Sequence, residues 1–80
     1  MKKLTDTQYL ILWKIKNFIK INKYSPSIRD IAAMQDITVK GAYDHVMAIK
    51  KKGFLEMIEN KSRTMVLSNK ALRMVFPDER

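Results

Sequence analysis

Apolar residues in the first quarter of the chain recur at helical spacing. Ile11, Leu12, Ile15, Phe18 and Ile19 fall on one stripe with Gln8, the pattern of a helix that buries one face. Thr5 stands three residues before Gln8, the spacing of a capping box, and Asp6 places a negative charge in the first turn, where the helix dipole favours it. A helix from Thr5 to about Asn22 is predicted. Tyr24-Ser25-Pro26 breaks it, because proline disfavours helical geometry in the residue before it. Ser27 then caps a short second helix, with Asp30 three positions on and Ile28, Ile31, Ala32 and Met34 as its apolar residues. After a tight turn at Gln35-Asp36-Ile37, Thr38 caps a third helix that runs to Lys52. Gly53 follows, free to take the left-handed conformation that ends helices.

Beyond Gly53 the period changes. Phe54–Glu59 and Thr64–Leu67 read as two strands joined by the polar tip Asn60-Lys61-Ser62-Arg63. Helix, short helix, helix and β-hairpin follow in the order of a winged helix-turn-helix, three helices with a two-stranded wing. This places a mainly α domain with a small β-hairpin over residues 1–67. Residues 68–80 are set apart as a C-terminal tail, in which Leu72, Val75 and Phe76 have helical spacing. The tail reads either as an end packed on the domain or as a dimer contact.

Composition narrows the function. The chain has 80 residues, 46% apolar, so one small core is expected and no deep substrate cavity. Sixteen basic residues against eight acidic give a net charge of +8, which points to a polyanion and first to nucleic acid. No cysteine is present, which rules out a disulfide framework and a thiolate metal site and fits a reducing cytoplasm. No apolar run approaches the ~18 residues of a membrane span, and the N-terminus lacks a signal-peptide pattern. His45, the single histidine, flanks the apolar face of the third helix and reads as packing. No His, Cys or acidic residues have metal-site spacing, no glycine-rich phosphate loop exists, and Ser25, Ser27, Ser62 and Ser68 have no evident base. Neither an enzyme nor a cofactor or small-molecule ligand is expected.

The third helix carries the candidate chemistry. Ala42, Val46 and Ile49 share an inward face, with Val39 at its edge. Lys40, Asp44, Met47 and Lys51 project from the opposite face, with Tyr43 beside them. A recognition helix needs this division, an apolar rear and a hydrogen-bonding front that enters the major groove. Lys40 suits guanine or a phosphate, Asp44 the cytosine amino group, and Tyr43 a thymine methyl or a phosphate. Asp44 equally suits an ion pair with Lys40, four residues earlier. Gly41 inside a helix has two readings, close approach of DNA or the second helix, and simple tolerance. Thr38, Lys40, Gly41, Tyr43 and Asp44 form the expected base-reading set. Ser27, Arg29, Lys51, Lys61 and Arg63 form the expected backbone-contacting set, though lysines at a helix end also answer its dipole and a hairpin tip is commonly polar.

These residues resemble a known family. Met1-Lys2-Lys3-Leu4-Thr5 with Gln8, Pro26-Ser27-Ile28-Arg29-Asp30-Ile31-Ala32, Ile37 through Val46, Ile49, Lys51-Lys52-Gly53-Phe54-Leu55 and Ser62-Arg63 with Val66-Leu67 follow the order seen in the DNA-binding half of LexA repressors. The Lys-Gly-Ala-Tyr-Asp-His segment is similar to a spirochaete-like branch. The resemblance implies a transcriptional repressor that binds palindromic operators of the SOS DNA-damage response. It also implies base reading from Thr38, Lys40, Gly41, Tyr43 and Asp44, and a phosphate contact at Lys51. The better-studied branch has Asn and Glu where Lys40 and Tyr43 stand, so a different operator is expected. The family's serine-lysine self-cleaving domain, which also dimerises it, would lie beyond these residues. The chain is therefore expected to be a fragment or a natural short protein, and a homodimer would form through residues 69–80 or through that missing domain.

Two other classes compete. A winged helix also serves as a protein-interaction module, and Tyr9, Trp13 and Ile21 with Leu72, Val75 and Phe76 offer an apolar patch for a partner. The basic first helix could lie on a membrane surface, but its apolar stripe is needed for the core.

Overall fold

The computed structural model describes residues 3–76. Met1 and Lys2, which belong to the opening motif, and the tail's last segment Pro77-Asp78-Glu79-Arg80 lie outside the described residues. The order is α1 (Asp6–Asn22), α2 (Ile28–Gln35), α3 (Val39–Lys51), β1 (Leu55–Glu56), β2 (Val66–Leu67) and α4 (Asn69–Leu72).

Local chemistry sets each helix boundary. Thr5 and Gln8 form the capping box of α1, and Ser27 and Asp30 that of α2. Each box satisfies backbone donors that a helix start otherwise leaves unpaired. Lys23 and Asp36 close these two helices in the left-handed conformation, at φ 67° and 54°. The Lys14 ammonium donates to the Met34 carbonyl and to Gln35 Oε1, capping the negative end of α2 from α1. Gly53 follows the end of α3 at φ 88°, where a side chain would be strained.

Ile11, Leu12 and Ile15 of α1 meet Ile31 and Ala32 of α2 and Ala42, Val46 and Ile49 of α3 in one core. Phe18 and Ile19 are only half-buried, so the stripe fades towards the end of α1. Gln8 is the polar residue on that stripe. Its Oε1 accepts from the Lys52 ammonium, which also donates to the Lys3 carbonyl, so α1 is tied to the end of α3. A buried amide left without such partners would cost about 1–3 kcal/mol.

The wing is shorter in strand than the pattern predicts. Only Leu55↔Leu67 and Glu56↔Val66 pair, antiparallel. Continuing that register would put Ile58 opposite Thr64, but the Ile58 amide donates to the Thr64 hydroxyl instead of a main-chain carbonyl. Thr64 Oγ1 also lies 3.3 Å from the Ile58 carbonyl and 3.1 Å from that of Lys61, and Asn60 and Arg63 turn the chain at φ 62° and 60°. A threonine side chain thus takes over the ladder, and residues 57–65 become a structured loop.

Residues 68–76 pack on the domain. Ser68 caps α4, its hydroxyl donating to the Gly53 carbonyl at 2.6 Å. Ala71 and Phe76 are fully buried, while Leu72 and Val75 are 57% and 64% exposed. The spacing that suggested one helical face for Leu72, Val75 and Phe76 is not realised, because α4 stops at Leu72. Beyond it the chain is fixed from α1. The Tyr9 hydroxyl donates to the Val75 carbonyl at 3.0 Å, and the Tyr9 ring stacks on Phe76 with centroids 5.2 Å apart. Among the described residues no helix is long and apolar enough to cross a membrane.

Candidate nucleic-acid interface

α3 separates its two faces sharply. Ala42, Val46 and Ile49 have no exposed surface, and α1 and α2 cover them from behind. Lys40, Tyr43, Asp44 and Lys51 are exposed in front, whereas Met47 and His45 are half-buried. Lys40 and Asp44 form an ion pair of 3.2 Å with side chains 85% and 60% exposed. At that exposure the pair is worth only about 0.3–0.5 kcal/mol.

Thr38 starts the helix, its hydroxyl accepting from the Gly41 amide at 3.0 Å. A Cβ at Gly41 would approach that hydroxyl to 3.1 Å, with Ile37 next at 3.9 Å. The close neighbour of Gly41 is therefore its own N-cap and not α2. Glycine keeps the cap uncrowded and leaves backbone accessible on this turn.

A groove of about 620 Å³ lies between the start of α2, the first turns of α3 and the wing. Ser27 and Arg29 line it from α2, Val39 and Tyr43 from α3, and Met57 and residues 60–65 from the wing. It brings together five of the residues singled out in the sequence: Ser27, Arg29, Tyr43, Lys61 and Arg63. Lys40, Asp44 and Lys51 continue along the outward face of α3, outside this groove. Arg29 and Lys61 are exposed. The Ser27 hydroxyl already accepts from the Asp30 amide as the α2 cap.

Arg63 is engaged differently. Its Nη1 donates to Asp30 Oδ2 at 3.0 Å and to the Ser25 carbonyl at 3.2 Å, and its guanidinium lies 5.0 Å from the centre of the Tyr24 ring. Ser25, nearly buried, also accepts from the Met65 amide through its hydroxyl at 3.0 Å. Asp30 is held below its ordinary carboxylate value of 3.8. The Ser27 backbone amide contributes most; burial opposes it, and the Ser27 hydroxyl and the Arg63 charge add to it. The Lys50 ammonium lies 3.9 Å from Glu59, which ties α3 to the wing.

Sequence reasoning gave no role to Ser25, Tyr24 or Thr64, and gave Asp30 only a capping role. Ser25 before a proline marked a turn, and nothing local connected it to Arg63. No group of acidic, histidine or cysteine residues among the described residues is placed to hold a metal ion.

An apolar-backed third helix with a polar front, set beside a hairpin across a groove carrying Arg29 and Lys61, defines a winged helix-turn-helix domain of the nucleic-acid-binding kind. The family model of the LexA DNA binding domain matches residues 1–64, and the chain belongs to that family. It is 44% identical over 77 residues to a LexA repressor of Thermosipho melanesiensis, covering 96% of this chain and 39% of that protein. It is 48% identical over 67 residues to a LexA repressor of Leptospira interrogans, covering 84% of this chain and 33% of that protein. A LexA repressor of Thermotoga maritima is 42% identical over 77 residues. The chain thus spans between 33% and 39% of the length of these relatives.

Proposed function

We propose that this domain reads double-stranded DNA as the operator-binding part of a transcriptional repressor, with α3 in the major groove. The observation that carries the reading is the exposed Lys40, Tyr43, Asp44 and Lys51 face standing over the fully buried Ala42, Val46 and Ile49. Thr38, Lys40, Gly41, Tyr43 and Asp44 lie at base edges. Ser27, Arg29, Lys51 and Lys61 lie along the phosphates that flank the DNA major groove. The Lys40–Asp44 pair opens readily on binding. It is worth tenths of a kcal/mol, whereas a well-made base contact discriminates by about 1–3 kcal/mol.

The relatives' name, LexA repressor, supports repression, and the family resemblance supports palindromic operators of the SOS response in a bacterial cytoplasm. Two copies then occupy two half-sites, joined through residues 69–80 or through the part of the relatives' length that lies beyond this match.

Selection of bound sites from a pool of random duplexes tests the reading. A defined sequence is expected to be enriched. Lys40→Ala and Asp44→Ala then change which bases are preferred. Lys51→Ala weakens all sequences alike and lowers the slope of log affinity against log salt by about 0.9. No enrichment, or equal uniform losses for all three variants, would overturn it.

A further inference from the structure

We infer that Arg63 is a positioning residue of the DNA-binding face: it holds the wing against the start of α2 so that Lys61 meets the duplex, and it neutralises no phosphate itself. The inference rests on the proposed DNA-binding function and assigns Arg63 a different job from the other cations of the groove.

Three observations converge on Arg63. Its Nη1 is already engaged, bridging Asp30 Oδ2 at 3.0 Å and the Ser25 carbonyl at 3.2 Å, with the guanidinium over the Tyr24 ring. Arg63 and Asp30 together carry no net charge, so the pair displaces no condensed counterion from the DNA phosphates. The Arg63 backbone sits at φ 60°, a conformation a non-glycine residue keeps only where its surroundings impose it. The next two residues complete the latch. Thr64 Oγ1 lies 3.1 Å from the Lys61 carbonyl, and the Met65 amide donates to Ser25 Oγ. Residues 61–65 are therefore one hydrogen-bonded unit, pinned at both Arg63 and Met65 to the α1–α2 connection. Lys61 is an exposed cation that this unit carries into the groove. A lysine at 63 keeps the charge but loses the planar guanidinium that lies against the Tyr24 ring while Nη1 reaches both acceptors.

The 80-residue chain and the duplex it selects from a random pool provide the test, with affinity measured against salt for each variant. Lys61→Ala is expected to lower the slope by about 0.9, a loss of about fivefold in affinity at about 0.15 M salt. Arg63→Ala and Arg63→Lys each give that same loss, the Lys61→Ala/Arg63→Ala double variant loses no more, and Asp30→Asn weakens binding too. In the free chain, exchange of the Met65 amide quickens in both Arg63 variants while the core amides of α1 and α3 keep their protection. Retention of the full slope by Arg63→Lys, a loss of about 1.8 in the double variant, or tighter binding by Asp30→Asn would make Arg63 a phosphate contact and overturn the inference. An unmodified chain without salt-dependent affinity for any duplex would instead remove the DNA-binding reading, and this inference with it.

Discussion

Over the thirteen residues of α3, position is set by the helical backbone and by a buried rear of Ala42, Val46 and Ile49. The wing across the groove pairs only two residues per strand, and its loop is held by side chains: Thr64 across the turn, and Ser25 and Arg63 at the base. Both regions carry exposed cations, but the first is fixed by packing and the second by a few hydrogen bonds. Packing is cooperative and involves many atoms. A latch of three or four polar contacts, by contrast, can be lost one contact at a time. Variants at the two places should therefore differ in size and in kind of effect.

The largest effect belongs to the rear of α3. Ile49→Ala removes a fully buried side chain where α3 meets the core, and is expected to destabilise the domain by about 2–5 kcal/mol. In a domain this small that approaches the whole stability. Urea denaturation followed by circular dichroism checks it, and a loss below about 1 kcal/mol would mean that the helix is not held from behind.

The wing latch should give less. Ser25→Ala leaves the Met65 amide without its acceptor, and Met65 is buried, so a loss of about 1–3 kcal/mol is expected. The same denaturation measurement applies. The distinguishing sign is local: the Met65 amide should lose exchange protection before the α3 amides do. Uniform loss across both regions would mean that the wing and the recognition helix form one cooperative unit, and would erase the contrast.

The contrast also explains which parts of the molecule were legible in the bare sequence. The third helix was legible because its determinants are local. Thr38 to Gly41 is a cap-to-amide step of three residues, and Ala42, Val46 and Ile49 repeat at helical period. The capping boxes at Thr5–Gln8 and Ser27–Asp30 were legible for the same reason. The wing was visible only as two apolar runs. Its shortened strands depend on a Thr64 hydroxyl that competes with a backbone carbonyl, which no alternation of polar and apolar residues encodes. Its latch joins residues 38 positions apart, Arg63 to Ser25, and the tail joins residues 66 apart, Val75 to Tyr9. Phe76 thus read as one member of a helical set, while in the structure it is core beneath a stacked tyrosine.

The smallest effect separates helix from wing at a residue that α2 and the wing share. Asp30 serves the α2 capping box through Ser27 and the wing latch through Arg63. Its carboxyl is held below 3.8 in the folded chain, first by the Ser27 backbone amide and less by Arg63. A depressed folded value means that the unfolded chain binds this proton more readily. The stability it contributes is therefore complete above about pH 4 and is lost as pH falls through the folded value. Urea midpoints measured between about pH 5 and pH 2 should fall less steeply in Asp30→Asn than in the unmodified chain, because asparagine still accepts at the cap but does not titrate. Since Ser27 outweighs Arg63, Arg63→Ala should keep most of that acid sensitivity while still releasing the wing. If Arg63→Ala flattened the acid limb as fully as Asp30→Asn, the latch and not the cap would hold the Asp30 charge. The boundary between a helix that supports itself and a wing that depends on it would then have to be redrawn through α2.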